Sequence, residues 1–231
     1  MTGTTFSDHG VRVIDGVLST ENFLNIQQEV AQGEFKSVHT QRWDKSWRLW
    51  DGHPMRGTSV YYDPTQRFDW SGARYPTRSA VDLLIDAIRQ ATFDNPEIVG
   101  REGGDWDALY LSPWLYPVGS ALSDHFDADR YAGSFTYFVH SRWSGAWGGE
   151  LLVAMPGEGI QPPTVDTPGR HPWITGDDHH ETCGLAIAIT PKPNRLVLLS
   201  SDRLHRVARV DSNAGDHVRT SIAGFFLRTE L

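Results

Sequence analysis

Leu115-Tyr116-Pro117-Val118-Gly119-Ser120-Ala121-Leu122-Ser123-Asp124-His125-Phe126-Asp127 is the stretch where an apolar run gives way to two ligand-type side chains one residue apart. In extended backbone alternate residues share a face, so His125 and Asp127 present an imidazole nitrogen and a carboxylate oxygen to the same point. That reading requires strands, and the sequence beyond Trp106 supplies them. Asp107 to Tyr116, Ser134 to His140, Glu150 to Met155, Leu185 to Thr190, Arg195 to Ser200, His205 to Val210 and Val218 to Leu227 are rich in β-branched, aromatic or leucine residues. Short strands at this density predict an all-β sandwich or barrel.

Upstream the texture differs. Val11 to Ile14 reads as a short strand, and Ser19-Thr20-Glu21-Asn22 as a helix start with hydroxyl caps, with Gly33 as its stop. Thr77 to Phe93 carries a helical apolar face (Ala80, Val81, Leu84, Ile85, Ala87, Ile88, Ala91) and ends at Asp94-Asn95-Pro96. Two such helices would cover one face of the sheet and leave the other as a pocket. Phe35 to Tyr75 holds no period. Its Trp43, Trp47, Arg48, Trp50, Arg56, Arg74 and Tyr75 read either as edge-strand packing or as a substrate-facing wall.

The 231 residues, 39% hydrophobic, suit one domain, with residues 1–106 as supporting helices and a variable substrate-side region and 107–231 as the β core. Residues 157–182, rich in Pro and Gly, form a loop insert in that core, read as a lid or recognition loop. A single cysteine, Cys183, excludes an intrachain disulfide and a Cys-rich zinc site, so a reducing, cytoplasmic location is expected. The N-terminus lacks a signal-peptide pattern and no apolar run reaches the ~18 residues of a membrane span, so no membrane partner is expected. A net charge of −8 argues against nucleic acid as a partner, because such binding neutralises phosphates with Lys and Arg.

A metal needs more than a His-x-Asp pair. His205, in Ser201-Asp202-Arg203-Leu204-His205 just after the apolar strand Leu196 to Leu199, is the candidate third ligand. With it the set becomes two histidines and one carboxylate, the facial triad that holds non-haem Fe(II) and leaves positions open. Arg219 and Ser221 follow on one face of the last strand. A guanidinium binds a carboxylate through charge-assisted bonds, and a hydroxyl two residues along donates another.

From Asp107 to Leu231 the sequence resembles the Fe(II)- and 2-oxoglutarate-dependent dioxygenases, in their prolyl-4-hydroxylase-like branch. The resemblance is carried by Tyr116-x-x-Gly119-x-x-Leu122-x-x-His125-x-Asp127, Gly148-Gly149-Glu150, Pro191-Lys192-Pro193-Asn194-Arg195-Leu196, His205-x-Val207-x-x-Val210 and Arg219-x-Ser221. It implies a mainly β fold, a double-stranded β-helix (jelly roll) core with supporting N-terminal α-helices. It implies Fe(II) on His125, Asp127 and His205, and 2-oxoglutarate with its far carboxylate on Arg219 and Ser221. Tyr116 and Tyr137 match positions where the family places a phenol near the co-substrate. The chemistry implied consumes O2 and 2-oxoglutarate, releases succinate and CO2, and oxidises a C–H bond.

Two departures bear on the substrate and the outcome. Animal collagen-type prolyl hydroxylases use Lys where this chain has Arg219, which argues against collagen-like peptides. The related halogenases have a small residue where this chain has Asp127, so a carboxylate here favours hydroxylation over halogenation. The leading expectation is a hydroxylase of a small polar metabolite, a free or carrier-tethered amino acid. A peptide or protein hydroxylase, and a non-catalytic jelly-roll ligand-binding module, are the alternatives. His140, His171, His179, His180 and His217 read as loop histidines, Trp114 as core, Trp143 and Trp147 as turn-borne, and Glu150 as structural.

Overall fold

The computed structural model describes residues 3–38, 53–69, 71–155 and 184–229. The aromatic positions Trp43, Trp47 and Trp50, Arg48, and the 157–182 loop expected as a lid lie outside the described residues. Before the core come β1 (Gly3–Asp8), β2 (Val11–Asp15), α1 (Thr20–Ala31), β3 (Phe35–Ser37), β4 (Met55–Gly57), β5 (Val60–Tyr62), β6 (Ala73–Arg74), α2 (Ala80–Asp94) and α3 (Pro96–Val99). The core follows as β7 (Trp106–Tyr116), β8 (Leu122–His125), β9 (Tyr131–Phe138), β10 (Leu151–Ala154), β11 (Ala186–Ile189), β12 (Arg195–Ser200), β13 (His205–Val207) and β14 (Arg219–Arg228).

The helices begin and end where local chemistry allows. Ser19 caps α1, its Oγ accepting from the Asn22 amide at 3.2 Å. The helix expected from Thr77 starts instead at Ala80. The Asp82 carboxylate accepts from the amides of Thr77 (2.9 Å) and Arg78 (2.7 Å), which folds that segment around it as a turn. Pro96 stops α2, as its missing N–H and ring require.

Apart from the adjacent pair β10 and β11, successive core strands alternate between two sheets, the winding of a jelly roll. One sheet runs β1-β2-β12-β9-β14-β7-β4-β3, with β5 attached to β7 and β6 to β5; the other runs β11-β10-β13-β8. The first has two unlike faces. Its outer face, with Leu109, Leu111, Phe135, Tyr137, Leu196, Leu198, Ile222 and Phe226, packs against the apolar sides of α1 and α2. Its inner face meets the second sheet through Val11, Val13, Phe138, Val197 and Leu199 against Leu151, Val153 and Ile189. The helices therefore do cover one face and leave the other to the site.

Period-two alternation then dictates which residues look inward. Along β14, Arg219, Ser221 and Ala223 stand opposite Tyr116, Trp114 and Ser112 of β7, and Ser221 and Ala223 stand opposite Phe138 and Thr136 of β9. The middle of this inner face, Ser112, Ala223 and Thr136, carries small side chains. Arg56 of β4 lies opposite Trp114 and extends the same row. At the far side Arg195 and Lys192 both reach Asp15 (2.7 Å each), tying β12 to β2. Among the described residues no helix is long and apolar enough to cross a membrane.

Candidate active site

The two histidines are delivered by neighbouring strands of the smaller sheet. His205 pairs directly with His125, and Val153 of the inward-facing cluster pairs with His205, so the imidazoles look across at the larger sheet. Val207, two residues along from His205, packs with Tyr116. That contact joins the strand of His205 to β7 of the larger sheet.

The rings are fixed by their own backbone. His125 Nδ1 donates to the Ser123 carbonyl at 2.7 Å and His205 Nδ1 to the Arg203 carbonyl at 2.9 Å. A carbonyl only accepts, so the hydrogen sits on Nδ1, and in the neutral tautomer this selects Nε2 is the ligand atom. Both Nε2 atoms point at one carboxylate: His125 Nε2 is 4.0 Å from Asp127 Oδ1 and His205 Nε2 is 3.9 Å from Oδ2. Asp127 follows β8 directly, as the alternation from His125 requires, while Phe126 between them turns away to pack with Ala154 and Leu204. All three are buried, and their ligand atoms lie within 4.8 Å of one another, a grouping unique among the described residues.

Whether a metal fits is decided by Asp127. Its Oδ2 is buried and has no hydrogen-bond partner. Leaving such an acceptor unpaired costs on the order of 1–3 kcal/mol, and a divalent cation between the three groups removes that cost. Two imidazoles and one carboxylate suit Fe(II).

Behind the triad, Arg219 is 1% exposed, among the largest fully buried side chains. Its Nε donates to the Gly149 carbonyl at 2.7 Å and its Nη1 to Ser221 Oγ at 3.3 Å. The guanidinium lies 4.9 Å over the Tyr116 ring and 5.0 Å from that of Phe138. Nη2 has no partner. Burial pulls the Arg219 pKa down to about 10, still charged at neutral pH, and pushes the Tyr116 phenol up to about 12, which keeps it protonated. A buried, charged nitrogen without a partner among the described residues has the chemistry to take a carboxylate.

The Gly148-Gly149 turn makes this possible. Both glycines have positive φ (67° and 72°), and a Cβ on Gly149 would stand 2.9 Å from Arg219 Cδ. Glu150 contributes no ligand atom to the cluster, in keeping with its structural reading.

Tyr137 does not join the site. It lies opposite Ile222, on the helix side of the sheet, and its hydroxyl donates to Asn194 Oδ1 at 2.7 Å. Its neighbour Phe138 is the residue that reaches Arg219. His140 lies in the loop after β9, as expected, but it is buried. It is 7% exposed, its Nδ1 donates to the Thr220 carbonyl at 3.2 Å, and its Nε2 has no partner. Burial, and then the Arg219 charge, lower its pKa to about 4. The signal was available: counting by twos from Phe138 places His140 on the Arg219 face. Trp114 is half-buried against the cluster of Tyr116, Val207 and Val210, stacking on Tyr116 with centroids 6.2 Å apart at 28°. His217 stacks on Trp147 at 4.3 Å, and its Nε2 accepts from Arg142 at 2.8 Å.

A buried cluster of two histidines and one carboxylate between the sheets of a jelly roll, with an arginine behind it, defines a class: non-haem iron oxygenases that take an organic acid as co-substrate. Sequence comparison arrives at the same class. The 2OG-Fe(II) oxygenase superfamily model matches residues 113–227, from β7 to β14, and the chain belongs to that superfamily. It is an Fe(II)- and 2-oxoglutarate-dependent oxygenase with its metal triad intact. Among solved structures it is similar to a Pseudomonas putida prolyl-4-hydroxylase (18% identity over 95% of this chain and 94% of that one, TM-score 0.61). It is also similar to a Trichoplax adhaerens prolyl hydroxylase in complex with a hypoxia inducible factor oxygen degradation domain peptide fragment (16%, 94% and 83%, TM-score 0.60). A third is HygX from Streptomyces hygroscopicus with nickel and 2-oxoglutarate bound (12%, 96% and 84%, TM-score 0.59). These identities speak to the fold alone. A comparison with curated proteins gave no match.

Proposed function

We propose that this oxygenase hydroxylates an unactivated C–H bond of a small polar metabolite, a free or carrier-tethered amino acid. His125, Asp127 and His205 would hold Fe(II), and Arg219, Ser221 and Tyr116 the 2-oxoglutarate. When bound, iron and co-substrate supply the oxidising power: O2, 2-oxoglutarate and the substrate C–H become succinate, CO2 and C–OH, which balances the atoms and electrons. The residues of the chain bind and orient. The Ser123 and Arg203 carbonyls lock the imidazole tautomers. Arg219, sealed by Tyr116 and Phe138, takes the far carboxylate of 2-oxoglutarate on Nη2 with little competition from water. The row Ser112, Ala223 and Thr136 carries small side chains on the inner face of the larger sheet, which suits a compact substrate.

The observation that carries this reading is the pair of orphaned buried atoms, Asp127 Oδ2 and Arg219 Nη2. One lacks a cation and the other an anion. Neither fits a jelly roll that merely binds a sugar. The neighbouring prolyl hydroxylases, one of them bound to a peptide fragment, support a second reading, hydroxylation of a peptide. Anaerobic addition of Fe(II) and 2-oxoglutarate should give a visible charge-transfer band, lost in Asp127→Ala and His125→Ala; a wild-type protein with no band sinks both readings. Aerobic turnover on matched metabolite and peptide panels, read by mass spectrometry as one added oxygen per succinate, separates the two.

A further inference from the structure

Arg219 has a counterpart on the same inner face. Arg56, on β4, donates from Nε to Ser112 Oγ at 3.0 Å and from Nη2 to Ser112 Oγ at 2.9 Å and Ser59 Oγ at 2.8 Å. Its guanidinium lies 5.7 Å from the centroid of the Trp114 ring. Trp114 stacks on Tyr116, and Tyr116 carries Arg219. The result is a run of cation, indole, phenol and cation across three strands, with a serine hydroxyl gripping each arginine. Both arginines rest on neutral partners. By contrast Arg67, Arg89, Arg195 and Arg203 each pair with a carboxylate, and in a chain with 29 acidic and 21 basic residues carboxylates are not scarce.

The two clamps differ in depth. Arg219 is sealed, whereas Arg56 is half-buried near the edge of the sheet. Three of its five N–H groups are taken by the serines, and Nη1 has no hydrogen bond among the described residues. Ser112, which holds it, belongs to the small-residue row on the inner face of the larger sheet, the face turned to the sheet that carries the triad histidines. A cation fixed in orientation, without a counter-ion among the described residues and on the inner face of the sheet is prepared for an anion, and such preorganisation lowers the ordering cost of binding.

We propose that Arg56 is the substrate's anion receptor, and that the substrate carries a carboxylate which Nη1 binds while the C–H bond to be oxidised lies over Ser112, Ala223 and Thr136. The inference rests on the hydroxylase reading above and names the class of its substrate. Arg219 would serve the co-substrate acid and Arg56 the substrate acid.

The test uses protein loaded with Fe(II) and 2-oxoglutarate without oxygen, so that binding is read without turnover. Amino acids, N-acetyl amino acids and hydroxy acids are titrated beside their carboxamides, with inorganic phosphate as a further arm, by calorimetry. At least one acid is expected to bind ten-fold or more tightly than its carboxamide. Arg56→Met should abolish that preference, Arg56→Lys should retain most of it, and both should keep the 2-oxoglutarate band. Arg56→Gln, able to reach the two serines, replaces Arg56→Met if the latter does not fold. The proposal is overturned if no acid binds the wild type, if phosphate binds in place of the acids, or if Arg56→Met keeps the acid preference. Loss of the band in Arg56→Met also overturns it, by placing Arg56 in the co-substrate site. Absence of the band in the wild type is a separate failure, that of the function, because the acid preference is measured by heat and not by colour.

Discussion

Arg219 is a charge that the fold surrounds with rings and leaves one nitrogen short of a partner. Replacing it with alanine removes a charge-assisted bond worth about 1.5–3 kcal/mol. Arg219→Ala should therefore raise the 2-oxoglutarate needed for half-maximal band intensity by roughly ten- to a hundred-fold. The Fe(II) requirement, titrated at saturating co-substrate, should move little; equal changes in both would assign Arg219 another task. His140 behaves differently because it is held neutral. In the folded protein it takes a proton only near pH 4, whereas in the unfolded chain it does so near 6.5. Between those values the unfolded state binds more protons, so the contribution to stability is complete above about pH 6.5 and is lost as pH falls toward 4. Thermal melts of His140→Gln between pH 4 and 7 should show a shallower pH slope than wild type. At this scale the sequence revealed the residues whose chemistry is conspicuous, His125, Asp127, His205, Arg219 and Ser221, because alternation and spacing are enough to bring them together. Tyr137 escaped because a strand shows its neighbours to opposite faces. One step of register separates a phenol in the site from a phenol under a helix.

Asn194 shows what that phenol does instead. Sitting at positive φ (59°), it accepts from Leu18 N and the Tyr137 hydroxyl through Oδ1, and donates to the Leu18 carbonyl through Nδ2. It thus joins β9, the turn before β12 and the entry to α1. Tyr137→Phe gives up one of these bonds, about 1 kcal/mol. The melting temperature should fall by roughly 2–4 °C while 2-oxoglutarate affinity stays at the wild-type value. A loss of affinity without loss of stability would return Tyr137 to the site. Element boundaries were legible only in part. The strand expected at Ser134 to His140 runs from Tyr131 to Phe138, because its length is set by pairing with β14 and not by its own composition. The short strands β3 to β6 carried no period at all. They are two or three residues long and owe their form to the edge of β7.

For the molecule as a whole, the triad joins β8 to β13 and Arg219 joins β14 to the Gly148-Gly149 turn, so ligands held as proposed would bridge elements distant in sequence. Each ligand should then stabilise the fold by mass action, about 2.7 kcal/mol at a hundred times its dissociation constant. Chelating the metal from loaded protein should lower the melting temperature by several degrees, and 2-oxoglutarate should raise it in the wild type but not in Arg219→Ala. The jelly roll was readable from strand density and from the resemblance carried by a handful of spaced residues. Before Trp106 the strand at Val11 and the two longer helices were readable from their caps and apolar faces, whereas β1 and β3 to β6 were not, since an edge follows whatever it pairs with. The imidazoles of His125 and His205 are already turned, with Nε2 toward Asp127, by the bonds from Nδ1 to the Ser123 and Arg203 carbonyls before any ion arrives. A cage assembled in advance offers little discrimination among ions of similar radius, and nickel, copper and zinc outcompete ferrous iron on such donors. The occupancy of this centre in a living cell is therefore governed by which metal is on offer when the chain folds, and enzyme purified over a nickel column should be expected to carry the column's ion until it is stripped and refilled.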